Sequence, residues 1–190
     1  MKQGNKTKKI ILDTANELFY KNGYTATSFS DIVNETGLSK GNITYHFKNK
    51  QSILEGIIQN RLDNINKSLS LWEEQSKDVE ERLIFFCDMI EHERENIKDY
   101  GCPMGTLTSE FSKNQPVLYE ITIPLFNRFK DWLSEQFTLL GFNKEKASEK
   151  ALSLLSRVQG IAMVSHSFKD VSFLQKELQE VKKGIKSNLL

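Results

Sequence analysis

Residues 28–50, SFSDIVNETGLSKGNITYHFKNK, decide the fold. Ser28 followed three residues later by Asp31 is a capping-box pattern, so a helix starts here. Ile32 and Val33 give that helix an apolar face. Gly37 ends it, because glycine reaches the left-handed cap conformation without a Cβ clash. Leu38 then packs inward, and Ser39 stands where a following helix needs its cap. The second helix is short, roughly Lys40 to Phe47. Two short helices joined by Gly-Leu-Ser form a helix-turn-helix, a motif whose second helix lies in the DNA major groove.

The side chains of that second helix suit a nucleic-acid surface. Lys40, Asn42, Thr44, Tyr45 and His46 are long or hydrogen-bonding, and only Ile43 and Phe47, four apart, are needed as core anchors. Gly41 allows close approach of the backbone to phosphate or base edges. Lys48 and Lys50 follow, with Asn49 as the next cap. Lys50 falls in the first turn of a third helix, where free amides and the positive dipole end favour a phosphate. The expected DNA-binding set is therefore Ser28, Ser39, Lys40, Gly41, Asn42, Thr44, Tyr45, His46 and Lys50.

The run Thr27-Ser28-x-x-Asp31-Ile32-Val33, then Gly37 through Phe47, then Lys50, resembles the DNA-binding domain of the tetracycline-repressor (TetR) family. The resemblance covers roughly Lys6 to Ile58, with many positions matching at fixed spacing. Thr44 departs from it, since many relatives carry an aromatic or leucine there; this bears on base preference rather than on fold. The resemblance implies a homodimer, a pseudo-palindromic operator and a small-molecule inducer bound in the C-terminal body.

Charge divides along the chain. Residues 1–50 hold eight lysines against four carboxylates, a balance of +4, whereas the other 140 residues hold 18 cations against 21 carboxylates, a balance of −3. A basic head that meets phosphate and a mildly acidic body that does not would produce this split. The expected domains are accordingly 1–50 for DNA and 51–190 for ligand binding and dimerisation. No apolar run of membrane-spanning length occurs, and no apolar stretch follows the basic N-terminus as in a secretory signal. Two cysteines without metal-ligand spacing fit a reducing, cytoplasmic setting and no zinc site.

Helical periodicity governs the rest. Residues 1–5 are expected to be disordered, and Lys6 to Asn22 helical, with Ile11, Ala15, Leu18 and Phe19 on one face. A long helix from Lys50 to Gln75 leaves the head, and another runs from Asp78 to Lys98 with Glu91 to Glu95 on a solvated side. Pro103 suits the first position of a short helix, Met104 to Ser112, with Cys102 as its cap. Pro116 suits another helix start, and Pro124 a kink within that helix. Asn143 caps a helix over Ala147 to Phe168 that is apolar on more than one side, and Ser172 with Gln175 reads as the capping box of the last helix, which carries Leu189. A helix apolar nearly all round must be buried twice. Ala151, Leu155, Val158, Ala162, Leu178, Val181 and Ile185 are therefore expected at a dimer interface, with Gly160 permitting close helix approach. The fold class is all-α, a three-helix helix-turn-helix domain followed by a helical bundle.

An apolar pocket in the body is expected from Phe85, Met89, Cys102, Met104, Leu107, Phe111, Phe126, Phe129 and Met163, given twelve phenylalanines and two proline-broken helices. Cys102 is either a small structural cap or a thiol activated by a helix N-terminus. The pattern Gly101-Cys102-x-x-Gly105-x-Leu107-x-x-Glu110-Phe111 is similar to one common in a branch of TetR-like regulators. Glu110 either faces a cationic ligand or is exposed or paired. His46, His92 and His166 lack nucleophile or metal-ligand spacing, and no phosphate loop or GxSxG occurs, so no enzyme, cofactor or metal is expected. The function expected is a ligand-responsive repressor. The alternative is a small-molecule-binding or scaffold protein of the same fold that does not bind DNA.

Overall fold

Apolar residues recur at helical spacing along the whole chain, and the computed structural model, which describes residues 3–187, contains no strand among them. The helices are α1 (Gln3–Asn22), α2 (Phe29–Thr36), α3 (Lys40–His46), α4 (Lys50–Gln75), α5 (Val79–His92), α6 (Arg94–Tyr100), α7 (Gly105–Phe111), α8 (Pro116–Leu139), α9 (Lys144–Phe168) and α10 (Val171–Lys186). They form two compact units. The first takes the chain through Asp63 and again Thr106–Pro124; the second takes Asn64–Gly105 and the chain from Leu125 onward. The division expected after residue 50 thus falls later, inside α4, and the first unit also claims α7 beyond Gly105 and the start of α8.

The first unit is built on caps and one close contact. The Ser28 side chain accepts from Asp31 N while Asp31 accepts from Ser28 N at 2.7 Å, completing the capping box of α2. Gly37 closes α2 at φ 66° in the left-handed region. Ser39 accepts from Asn42 N at 3.2 Å and opens α3. Ile11, Leu12, Ala15, Phe19, Ile32, Ile43, Phe47, Ile53, Leu54 and Ile57 are buried together in this unit. Gly56 on α4 lets α1 approach. A Cβ there would stand 2.8 Å from Leu12 Cδ2 and 3.3 Å from Phe47 Cε1.

In the second unit α8 supplies several of the buried side chains. Trp132 is fully buried, donates from Nε1 to Glu73 Oε1 at 2.7 Å, and meets Trp72 at 5.5 Å between centroids. Phe129 packs on Phe86 at 5.4 Å. Helix α10 packs on α5, α6 and α9. Lys182 of α10 reaches Asp88 and Glu91 of α5, so Glu91 belongs to an ion pair rather than to the solvated side expected of it. Lys169, at φ 56°, donates to the Lys98 and Asp99 carbonyls at 2.9 and 3.0 Å, a cation capping the C-terminal end of α6.

Several boundaries differ from expectation for local reasons. Helix α1 begins at Gln3, because once a turn is formed each further residue adds a hydrogen bond and nothing in Gln3-Gly4-Asn5 blocks the ladder. The helix expected from Asp78 to Lys98 breaks at Glu93, with φ −88° and ψ 8°. The break brings Ile97 to 1% exposure. Helix α7 starts at Gly105, so Cys102 is not its cap. Pro116 does open α8, and the helix continues without interruption through Pro124. Asp170, not Ser172, caps α10, accepting from Phe173 N at 3.0 Å. Leu189 lies outside the described residues.

Two consequences can be measured. Gly56→Val forces two methyls toward Leu12 and Phe47 and should destabilise the protein by about 1–3 kcal/mol in urea denaturation. The Asp31 carboxyl is held below its ordinary value of 3.8, first by the Ser28 backbone amide and then by the Ser28 hydroxyl. A depressed carboxyl contributes stability above its unfolded pKa and loses it as pH falls through the folded one. The stability gap between wild type and Asp31→Ala should therefore be constant above about pH 5 and close on further acidification.

Candidate nucleic-acid interface

Helix α3 turns only Ile43 fully into the core, with Phe47 as the second anchor just past its end. Lys40, Gly41, Asn42, Thr44 and Tyr45 are exposed and His46 is half-buried. Tyr45 is 85% exposed, its ring edge-on to His46 at 5.1 Å. For a large aromatic side chain such exposure has no use in the chain's own core. A Cβ on Gly41 would meet nothing within 4 Å, so nothing inside the protein demands glycine there. Beside α3 runs an open groove of about 430 Å³, lined by Ser30, Val33 and Asn34 of α2, Lys40 and Thr44 of α3, and Lys48, among others.

The predicted set divides by what each polar group already does. Ser28 and Ser39 accept backbone amides through their hydroxyl oxygens in the caps, and the Ser28 hydroxyl also turns its proton to the Asp31 carboxylate. The Thr44 side chain donates its hydroxyl back to the Lys40 and Gly41 carbonyls at 3.0 and 3.1 Å, which commits the proton and leaves the oxygen as an acceptor. Its methyl remains for an apolar base edge such as a thymine methyl. Lys50 lines the same groove with two of its ammonium donors already engaged. Its ammonium donates to the Tyr24 and Thr27 carbonyls at 2.8 Å each and lies 4.1 Å from the Tyr24 ring centroid. Burial pushes its pKa down, against the opposing pull of Glu110 and Asp31. Sequence reasoning passed over Ser30 and Asn34. Their signal is their i, i+4 spacing on α2, away from the buried Ile32.

The residues expected in a ligand pocket do not share one environment. Phe111 is fully buried in the first unit, edge-on to Tyr24 at 5.1 Å, and Leu107 is buried in the same unit. Both belong to the head's own core. Met163 is 71% exposed, which removes it as pocket lining. Phe85, Met89 and Phe126 are half-buried in the second unit, where Cys102, Met104 and Phe129 are buried. Neither cysteine is in a disulfide, and burial pushes the Cys87 thiol up to about 12. Cys102 lies three residues before α7, outside its first turn.

The residues expected at a dimer interface turn inward. Ala151, Leu155, Val158, Ala162, Leu178, Val181 and Ile185 are all buried within the chain's second unit. They hold α9 and α10 in their own core. The apolar residues of α9 that stay exposed are Leu152, Met163, Val164 and Phe168, with exposed Ser156 and Gly160 between them.

Among the described residues no acidic, histidine or cysteine group could hold a metal ion, and no helix is long and apolar enough to cross a membrane. Comparison with known proteins agrees with the helix-turn-helix and extends beyond it. Residues 11–57 match the bacterial regulatory proteins of the tetR family, and residues 81–179, more than half of the chain, match the C-terminal domain of LmrA/YxaF-like transcriptional regulators. An uncharacterised HTH-type transcriptional regulator of Lactococcus lactis is 28% identical over 182 residues, covering 93% of this chain and 91% of that one. IcaR of Staphylococcus aureus, a negative transcriptional regulator of a biofilm operon, is 32% identical over 69 residues, 36% of this chain and 37% of its own. The crystal structure of a TetR regulator from Legionella pneumophila superposes with a TM-score of 0.83 at 25% identity, covering 93% of this chain and 95% of that one. With a matching model at each end and a whole-chain structural counterpart, the chain belongs to the TetR family of DNA-binding transcriptional regulators, in its LmrA/YxaF-like branch, and is a regulator rather than an enzyme.

Proposed function

We propose that the protein is a homodimeric repressor that binds a pseudo-palindromic operator through α3 and leaves it when a small apolar or amphipathic effector binds the body. The observation that carries the reading is the exposure of α3: one side chain anchors it, and Lys40, Asn42, Tyr45 and the groove beside Lys48 are left for a partner. Lysine contacts to phosphate supply affinity, and base-edge contacts supply sequence preference. The repressor sense is supported by IcaR, which is a negative regulator. The body leaves Phe85, Met89 and Phe126 half-buried, apolar side chains of the kind that line effector pockets. An effector that prefers one arrangement of the dimer over another shifts the equilibrium by that difference in affinity.

Selection of duplexes from a random pool by the purified protein tests the first step. A selected duplex should bind with an affinity that falls steeply with salt. Tyr45→Ala should weaken it by at least ~1 kcal/mol without lowering thermal stability, the size of one good base contact. Gly41→Ala should leave folding intact or raise helix stability by up to about 1 kcal/mol, while reducing operator affinity. If the wild type enriches no duplex, the DNA-independent reading of the same fold stands instead.

For the dimer, the exposed α9 stripe directs the substitution. Met163→Glu combined with Val164→Glu should yield a helical monomer by light scattering and circular dichroism. Ala162→Glu should instead damage folding, because it buries a charge without a partner in the chain's own core.

A further inference from the structure

Gly23 leaves α1 at φ 87°, and residues 24–27 carry the chain to the Ser28 cap of α2. The polar groups of this turn are answered by side chains far away in sequence. Glu110 of α7 accepts from Tyr24 N at 3.0 Å and from Thr25 N at 2.6 Å, one carboxylate oxygen to each. Lys50 of α4 donates to the carbonyls of Tyr24 and Thr27. Opposite charges thus grip one turn, the anion on its amides and the cation on its carbonyls. Gln115 Nε2 adds a bond to Thr25 Oγ1 at 3.2 Å, and Phe111 packs its ring on Tyr24. A Cβ at Gly23 would meet Glu110 Oε2 at 3.4 Å, an ordinary contact, so it is the positive φ that calls for glycine there.

The helix-turn-helix is the stretch of chain between this turn and Lys50. Ser28 opens α2 just after the turn, and Lys50 opens α4 just after α3. The Lys50 bonds to the Tyr24 and Thr27 carbonyls therefore tie the two ends of the motif together, and Glu110 fixes the knot from its other side. Helix α7 starts at Gly105, the last residue before the chain passes into the first unit at Thr106. We infer that Glu110 is a positioning residue for operator recognition: by holding the two amides of the turn it sets the orientation in which α2 and α3 are presented. The inference rests on the DNA-binding reading above. Charge-assisted bonds from two neighbouring amides to one carboxylate are directional, so the contact fixes an orientation as well as a distance.

The test compares wild type, Glu110→Gln and Glu110→Asp on the duplex selected by the wild type and on an unrelated duplex at the same salt. The glutamine variant can accept at only one of the two amides, and the aspartate variant falls one methylene short. Glu110→Gln should lower the ratio of specific to unrelated affinity by about tenfold or more, with Glu110→Asp between it and wild type. Unrelated-duplex binding should hold, since phosphate contacts need no set orientation of α3. Amide exchange at Tyr24 and Thr25 should accelerate in both variants while that of Ile57 in α4 does not. An unchanged ratio, or an equal fall in both affinities as folded protein is lost, overturns the inference and leaves the DNA-binding reading intact. A wild type that selects no duplex overturns that reading, and the inference with it.

Discussion

A turn between two helices leaves amides and carbonyls that must find partners, and in this chain two charged side chains supply them. Glu110 and Lys50 neutralise the turn from opposite sides, and each is itself drawn inward by doing so. Burial of the lysine is tolerable because its charge faces carbonyl dipoles, an aromatic face and the nearby carboxylate. Burial also raises the Tyr24 hydroxyl's pKa, as do the charges of Glu110 and Glu55, so the ring between the ions stays neutral. The helix-turn-helix hangs from this arrangement. Its own caps and the Ile43–Phe47 anchors keep two short helices intact, but neither helix is long enough to be stable without tertiary support.

The second unit solves a different problem. Helices α5, α9 and α10 bring apolar faces together, and most of the unit's inward polar groups are answered: Lys182 by Asp88 and Glu91, Trp132 of α8 by Glu73, and Ser165 by the Asp170 carbonyl, while Gln159 Nε2 of α9 is buried without a hydrogen-bond partner. With α9 already holding an apolar inner face in the unit, the residual exposure of Leu152, Met163, Val164 and Phe168 on its other side becomes informative. An apolar side chain left outside a satisfied core invites a partner surface.

What could be read from sequence follows from the range of each interaction. The Ser28–Asp31 box, the left-handed Gly37 and the Ser39 cap act over three or four residues, and their residue types identify them. The Phe47 anchor and the exposure of Tyr45 follow from helical spacing. Glu110 was legible only as a charge of open purpose, because its amide partners lie 85 and 86 residues away. The turn contacts of Lys50 were hidden for a related reason: the carbonyls that take two of its donors lie 23 and 26 residues away. The break at Glu93 carries no proline or glycine to announce it. On α9 the apolar pattern showed that two faces were hydrophobic without indicating which met the chain's own core. Ala151 and Val158 fell on the inner face, and Met163 on the outer.

The first unit is discontinuous in sequence, and this bears on how it is made. Its helix-turn-helix leaves the ribosome early, but Glu110, Phe111 and Gln115 emerge only after the whole of α4, α5 and α6. A nascent head can form its local caps at once, yet the α1–α2 turn must wait for a segment synthesised seconds later at ordinary translation speeds of about 5–20 residues per second. Loop closure over that separation is itself entropically costly. The α1–α2 turn is therefore completed late in synthesis, and a fragment ending near Asp63 would contain both helices of the helix-turn-helix while lacking the carboxylate that holds the turn's amides.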